Sequence, residues 1–294
     1  MVLKGFSLRV LEELPQAFDD NTIRIERLPL ELIRPDPVQP RRVLPERIHF
    51  EFHGQRLTPH QALRELVQVA QIAARQNGRP FTSVLDLLPN ADDDRPDSPD
   101  TKLTPEEVLL RDLVSMALTL RDDGLVNTIT VVDISEGVMQ LYRIETGERR
   151  YWAAWLLRDF IPGYQSDGMI ECRVVTHDRT SVFRQAKENT ARHGLNAVAM
   201  ARQAALLILS VNGYEIPPYA VDNNYYRQAL ELRIPRGSAT EIYMAMGGID
   251  KRRFGQFKDL LNLSDEAMEI ADRHQLDERV LRHVIGLSPA DQIE

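Results

Sequence analysis

Residues 142–157 read YRIETGERRYWAAWLL. Val138, Leu141, Tyr142 and Ile144 supply apolar positions of a strand, and Thr146–Gly147 breaks it. Tyr151, Ala154, Trp155 and Leu157 then resume at helical spacing. The free N–H groups of a helix's first turn carry partial positive charge. Cations there cost from a few tenths of a kcal/mol to about 1 kcal/mol. Arg149 and Arg150 occupy that turn all the same. Either an anion sits there, held by N–H groups and guanidinium forks together, or both arginines are solvated or paired with Glu145 and Glu148.

Working outward, the 294-residue chain is long enough for two ordinary domains. Its 43% hydrophobic and 27% charged content is that of a soluble globular protein. A single cysteine, Cys172, excludes an intrachain disulfide framework and a Cys-rich zinc site. The seven histidines form no HExxH pair, which removes a metalloprotease reading. His49 and His53, four apart, read as a solvated or half-buried pair rather than a metal site. The N-terminus has no signal-peptide core, and the longest apolar run, AALLIL at 204–209, is too short to span a bilayer. A cytoplasmic protein without membrane contact is the expectation.

The net charge of −8 is unevenly spread. Residues 181–294 hold 14 basic and 15 acidic residues, against 22 and 29 in the first 180. The acidic excess therefore sits in the first part, and ADDDRPDSPD at 91–100 carries much of it. Whole-chain acidity says little about phosphate contact, because a local basic patch governs that.

RLPLELIRPDPVQPRRV (27–43) reads as a short strand followed by a Pro-rich extended segment. Helical spacing runs over 58–77, a breaker follows at NGRP, and 89–100 reads as a disordered loop. The next helix starts at Thr104 as cap with Pro105 in its first position, and ends at Gly124. LVNTITVVDI is a strand by its β-branched content, and MIECRVV (169–175) is another, leading into a helix over 179–192. From Asn196, which caps a helix to about Val211, the pattern is helical. It includes YYRQALEL, SATEIYMAM, the turn GGID and KRRFGQFKDLLNL, then helices after Ser264 and Asp277. A short helix, a glycine turn and a basic helix make a helix-turn-helix candidate. In it Phe254, Phe257 and Leu261 form the inward stripe. Arg252 and Gln256 are candidates for base edges, with Lys251, Arg253 and Lys258 on phosphates. The alternative is a solvated basic face.

Taken in order, these pieces resemble the ParB/RepB family of chromosome- and plasmid-partition proteins. LPLELIRPDPVQPRR is similar to that family's opening strand and NPxQPR segment, and RDDGLVNTITVV to its xxHGxxQPIxV motif. YRIETGERRYWAAWLL matches the YxIxxGERRxRAAxL box, KENTARHGLN the xENxQRxDLN motif, and GGIDKRRFGQFKDLLNLSDEAMEI the second half of its helix-turn-helix. The resemblance covers most of the chain except about 51–102, which reads as an insertion. It implies an α+β ParB/sulfiredoxin-like N-terminal domain over 1–180 and an all-α helix-turn-helix domain over 181–294.

The family resemblance implies a pocket for CTP with a magnesium ion, whose occupancy closes a homodimer into a clamp on double-stranded DNA. Slow hydrolysis reopens it, and a ParA-type motor ATPase is the implied further partner, at the nucleoid or a plasmid. Gly147, Arg149 and Arg150 would hold phosphate, with Asn189 and Arg192 beside them. Glu148 and Glu188 would be catalytic, Glu188 and Asn189 would serve the metal, and Gly124, Asn127 and Thr128 would face the base. Four departures stand out. Asn127–Thr128 replaces Gln-Pro, Trp152 stands where a third arginine is usual and so removes a charge from the phosphate or DNA face, Ala191 replaces Gln, and His193–Gly194 replaces an acidic pair. A divergent member follows, whose dimerisation is arranged without the family's usual C-terminal segment or whose chain is truncated. The alternatives are a ParB-like nuclease, a sulfiredoxin-like phosphotransferase, for which Cys172 lies on the wrong strand, and a DNA-binding adaptor or regulator with an inactive nucleotide pocket.

Overall fold

The computed structural model describes residues 24–88, 103–125, 127–175, 182–191 and 195–294. The acidic stretch at 91–100 and Arg192 lie outside these described residues. Five strands, β1 (Arg24–Pro29), β2 (Ile33–Arg34), β3 (Ile129–Asp133), β4 (Tyr142–Thr146) and β5 (Met169–Val175), form one sheet in the order β1-β5-β3-β4-β2. The β1–β5 and β3–β4 pairs are antiparallel, while β3–β5 and β2–β4 are parallel. The architecture is mixed α/β. The expected strand start at Val138 is corrected, because Val138 is fully exposed in the turn before β4.

Alternation sorts the strand side chains. Ile129, Val131, Ile144, Ile170, Cys172 and Val174 enter one apolar core. Thr130 and Arg173, which pair across β3 and β5, therefore face the opposite side. Helices α1 (Glu46–His53), α2 (Pro59–Gln76), α3 (Pro105–Asp122) and α4 (Glu148–Phe160) contribute to that same core through residues such as Ile48, Leu66, Leu113 and Trp152. Helix α2 begins with a Thr58–Gln61 capping box and α3 with a Thr104–Glu107 box, each with proline in its first turn. The segment from 51 that reads as an insertion thus builds core through α2, which packs on α3 and α4. His49 is buried, His53 half-buried, and their rings meet edge to face at 4.4 Å. Burial lowers both imidazole pKa values, that of His53 to about 4, so neither is charged at neutral pH.

The remaining helices are α5 (Val182–Ala191), α6 (Ala197–Val211), α7 (Asn223–Glu231), α8 (Ala239–Ala245), α9 (Lys251–Asp259), α10 (Asp265–Arg273) and α11 (Glu278–Leu281). They surround α6, whose residues from Ala204 to Leu209 are all buried in a second apolar cluster. The Pro-rich segment ties the two clusters together. Gln39 donates to the Glu145 carbonyl at 3.0 Å and Arg42 to the Val221 carbonyl at 2.9 Å. Arg202, wholly buried on α6, pairs with Asp272 and donates to the Pro40 carbonyl at 3.4 Å.

Gly147 joins β4 to α4 with φ +98°, in the left-handed region. A Cβ there would lie 3.3 Å from the Cα of Ile129 and 3.3 Å from Nη1 of Arg150. Both the backbone angle and the space demand glycine. Gly147→Ala is expected to destabilise the chain by about 1–3 kcal/mol, read from the urea midpoint at unchanged slope. An unchanged midpoint would contradict this account of the turn.

Candidate functional site

The first turn of α4 lies against the C-terminal part of α3. Arg149 reaches across to Asp112, with Nη2 3.0 Å from Oδ2. Arg150 is half-buried and folds back so that its guanidinium lies beside Gly147. Both arginines are therefore half-buried, and Arg149 pairs with Asp112 rather than with Glu145 or Glu148. A cavity of about 370 Å³ opens here, lined by Arg149, Arg150, Asp112, Gly124 and Asn127, with an apolar side from Met116, Leu120 and Leu125. Gly124, with φ +73°, turns the chain out of α3 towards β3. The fold thus brings residues as far apart in sequence as Asp112 and Arg150 to one concavity.

A second cavity, of about 520 Å³, lies on the face of the sheet away from the apolar core. Its lining combines Asn127, Thr128 and Thr130 with Arg173 of β5 and Arg184, Lys187 and Glu188 of α5. Asn127 lines both cavities. Arg184 pairs with the buried Glu145 at 3.1 Å, and burial raises the Glu145 pKa despite that cation. With Arg184 offset by Glu145, Arg173 and Lys187 stand against the one lining carboxylate, Glu188, which leaves the concavity net positive. Sequence reading missed Arg173, Arg184 and Lys187. The first was legible from strand alternation, since Ile170, Cys172 and Val174 point the other way, and the other two from their spacing to Glu188 on one helix.

Glu148 is not on the surface of either cavity. It is buried and accepts a hydrogen bond from Nε1 of Trp152 at 3.0 Å. Trp152 is itself fully buried, so the expectation that it takes a position on a phosphate or DNA face is corrected. Its indole instead satisfies a carboxyl that the fold has taken out of water. Burial, opposed by the Trp152 hydrogen bond, raises the Glu148 pKa to about 7. Asn189 donates its side-chain amide to Gln39 at 3.4 Å and Gln203 at 3.3 Å, tying α5 to the Pro-rich segment and α6. Of the two residues named for a metal, Glu188 lines the second cavity, and among the described residues no group of three or more His, Cys, Asp or Glu could hold a metal ion. One protein carboxylate with phosphate and water oxygens is a set magnesium accepts.

Among the helices, α8 and α9 are joined through Gly247 and Gly248, both at positive φ, and Asp250 caps α9 through the Arg253 N–H at 2.7 Å. Lys251, Arg252 and Arg253 are exposed, Gln256 is half-buried, and Phe254, Phe257 and Leu261 are buried. Lys258 differs from the reading that put it on phosphate. Its ammonium donates to the carbonyls of Leu230 at 3.1 Å and Leu232 at 3.4 Å, at the end of α7. A cation there meets unpaired carbonyls and the negative end of the helix.

No protein-family model and no curated protein matches the chain. A solved structure of the C-terminally truncated chromosome-partitioning protein ParB from Caulobacter crescentus, complexed with CTP-gamma-S, is similar over 92% of this chain and 99% of that one. The identity is 16% and the TM-score 0.29, too distant to assign a family or a ligand. Among the described residues no helix is long and apolar enough to cross a membrane.

The buried Glu148 carboxyl gives a pH signature. An acid whose folded pKa exceeds its ordinary 4.5 binds more protons when folded, so the ionisation-linked penalty of its burial is absent well below pH 4.5. The cost grows as pH rises from there to about 7 and persists above. Against Glu148→Gln, which keeps the shape without the charge, the wild type should lose about 2–3 kcal/mol of unfolding free energy between pH 4.5 and 8. Parallel profiles would show that Glu148 is not a titrating buried acid.

Proposed function

We propose that the chain is a ParB-type DNA-binding partition protein with a nucleoside triphosphate pocket, CTP first, that acts as a clamp switch. What supports this most is the cavity that gathers Gly124, Asn127, Arg149 and Arg150 around the start of α4. In this reading the base lies against 124–128 and the apolar end of α3. The phosphates take the N–H groups of α4's first turn with Arg149 and Arg150. Asn127 stands between the two cavities, so a triphosphate extends towards Arg173, Arg184, Lys187 and Glu188. Magnesium would be met by Glu188, where it neutralises phosphate charge. Glu188 also orients the water in slow hydrolysis, while the buried Glu148 holds the first turn of α4 through Trp152. Homodimerisation and a ParA-type partner complete the reading.

A second reading, a DNA-binding regulator with an inactive pocket, is favoured by two observations. Asn189 is already engaged with Gln39 and Gln203, and Arg149 with Asp112. Calorimetric titration with CTP, ATP, GTP and UTP in the presence of magnesium separates the two. Saturable binding, tightest for CTP, is expected. Arg149→Ala should then weaken it by about 1.5–3 kcal/mol, the value of a hydrogen bond to a charged group. Equal affinities of wild type and variant for every nucleotide would remove the loop from phosphate binding.

For DNA we assign base edges to Arg252 and Gln256 and phosphates to Lys251 and Arg253, with α8 and α9 as the helix-turn-helix. Lys258 is assigned to the scaffold because of its bonds to α7. Arg252→Ala should relax sequence preference at one position by about 1–3 kcal/mol, and Lys251→Ala should lower the salt slope by about 1. Lys258→Ala should shift the melting midpoint and leave that slope alone. Selection from a random duplex library, followed by salt titration, checks all three. Failure to enrich any sequence would support a solvated basic face.

A further inference from the structure

A third cavity, of about 380 Å³, lies where α1, α2, α3 and the α6–α10 pair meet. We propose that it is a binding site for a small amphipathic organic anion, a carboxylate on an apolar body. Its wall is apolar where Val43, Leu44, Ile48, Val69, Val108 and Leu109 converge. The volume falls in the range of small-molecule sites, about 300–1,000 Å³. Most charged groups on the lining are already paired. Arg42 pairs with Glu46 at 3.1 Å and Arg149 with Asp112 at 3.0 Å, while Arg273 pairs with Glu106 and Arg202 with Asp272. Arg47, at the edge, turns to Glu51 and Glu65.

Arg41 is the exception. It lines the cavity and makes no hydrogen bond or ion pair with any described residue. Burial and the neighbouring Arg149 guanidinium both disfavour its charge, which the Glu148, Asp272 and Asp112 carboxylates offset in part. Its half-buried guanidinium carries five donors, which a carboxylate in the cavity would meet in place of water. The remaining acid, Glu269, is exposed at the rim, where water serves it. An apolar wall beside one uncommitted cation is complementary to a carboxylate carried on a hydrocarbon or aryl group, and less so to a bare ion. Helix α2 supplies Val69, so this site uses the segment that the family resemblance leaves without a role.

The site does not depend on nucleotide binding, although Arg149 and Asp112 border both this cavity and the one at α4. The test is calorimetric titration of the full chain with 4-phenylbutyrate, its neutral counterpart 4-phenylbutanol, and inorganic phosphate. A ligand of this size is expected to bind with a constant of about 1 mM. The alcohol and inorganic phosphate should each bind at least tenfold more weakly. Arg41→Gln and Val69→Trp should each weaken 4-phenylbutyrate at least tenfold, with circular dichroism unchanged. Should Arg41→Gln fail to fold, Val69→Trp and the comparison of acid with alcohol still decide. Equal binding of acid and alcohol, an unaffected Val69→Trp, or no saturable binding by wild type overturns the proposal. So does competitive displacement by CTP with magnesium, which would make the cavity part of the nucleotide pocket. An absence of CTP binding with the 4-phenylbutyrate result intact leaves this site standing and removes the nucleotide reading alone.

Discussion

The approach of Gly147 to the start of β3 is the constraint on which the rest of the site depends. With its Cα beside Ile129 and φ at +98°, the chain leaves β4 and enters α4 in one residue. That sharp entry sends three successive side chains in three directions. Glu148 goes inward to Trp152, Arg149 across to Asp112 on α3, and Arg150 back along the turn. The start of α4, where the helix carries partial positive charge, thereby stands beside Arg149 and Arg150, which line the cavity. A bulkier residue at 147 would have to push away β3, and with it the Asn127–Thr128 segment shared by the two cavities.

The Pro-rich segment is the second structural device. Gln39, Pro40 and Arg42 each bond to a different part of the chain, namely β4, α6 and the Val221 loop. Asn189 joins the same network through Gln39 and Gln203. A change in α5 caused by a ligand on Glu188 or Lys187 would therefore be felt at α6, around which the helices of the second cluster pack. Helix α6 packs in turn on α8 and α9, so the candidate pocket and the α8–α9 pair are joined by contiguous contacts. Prolines suit the segment because it needs few N–H donors and gains from a restricted backbone.

Much of the scaffold was legible in the residues, and the reasons are local. Thr58, Thr104, Asn196, Asp250 and Ser264 cap helices whose first turns contain their partners, so both ends of the signal lie within four positions. The strand at 129–133 was visible in its β-branched run. Val138 was misread because apolarity alone does not separate a strand from an exposed turn. The α4 turn and its two arginines stood out as an electrostatic anomaly, yet their partners did not. Asp112 lies 37 positions from Arg149, and only the packing of α3 on α4 brings them together. Likewise Trp152 read as a lost surface charge because nothing in the sequence said that Glu148 turns inward to meet it. Lys258 read as a DNA contact because the end of α7, which it serves, is fixed by tertiary packing.

A phosphate site at the start of α4 is what the proposed nucleotide switch requires. The most direct measurement is the backbone amide resonances of Glu148 and Arg149, followed as CTP with magnesium is added. Phosphate oxygens accepting from those N–H groups should move both resonances saturably, with Asn127 and Thr128 shifting along the same isotherm. Resonances of Glu148 and Arg149 that stay in place at saturating nucleotide, or shifts confined to other parts of the chain, would contradict it.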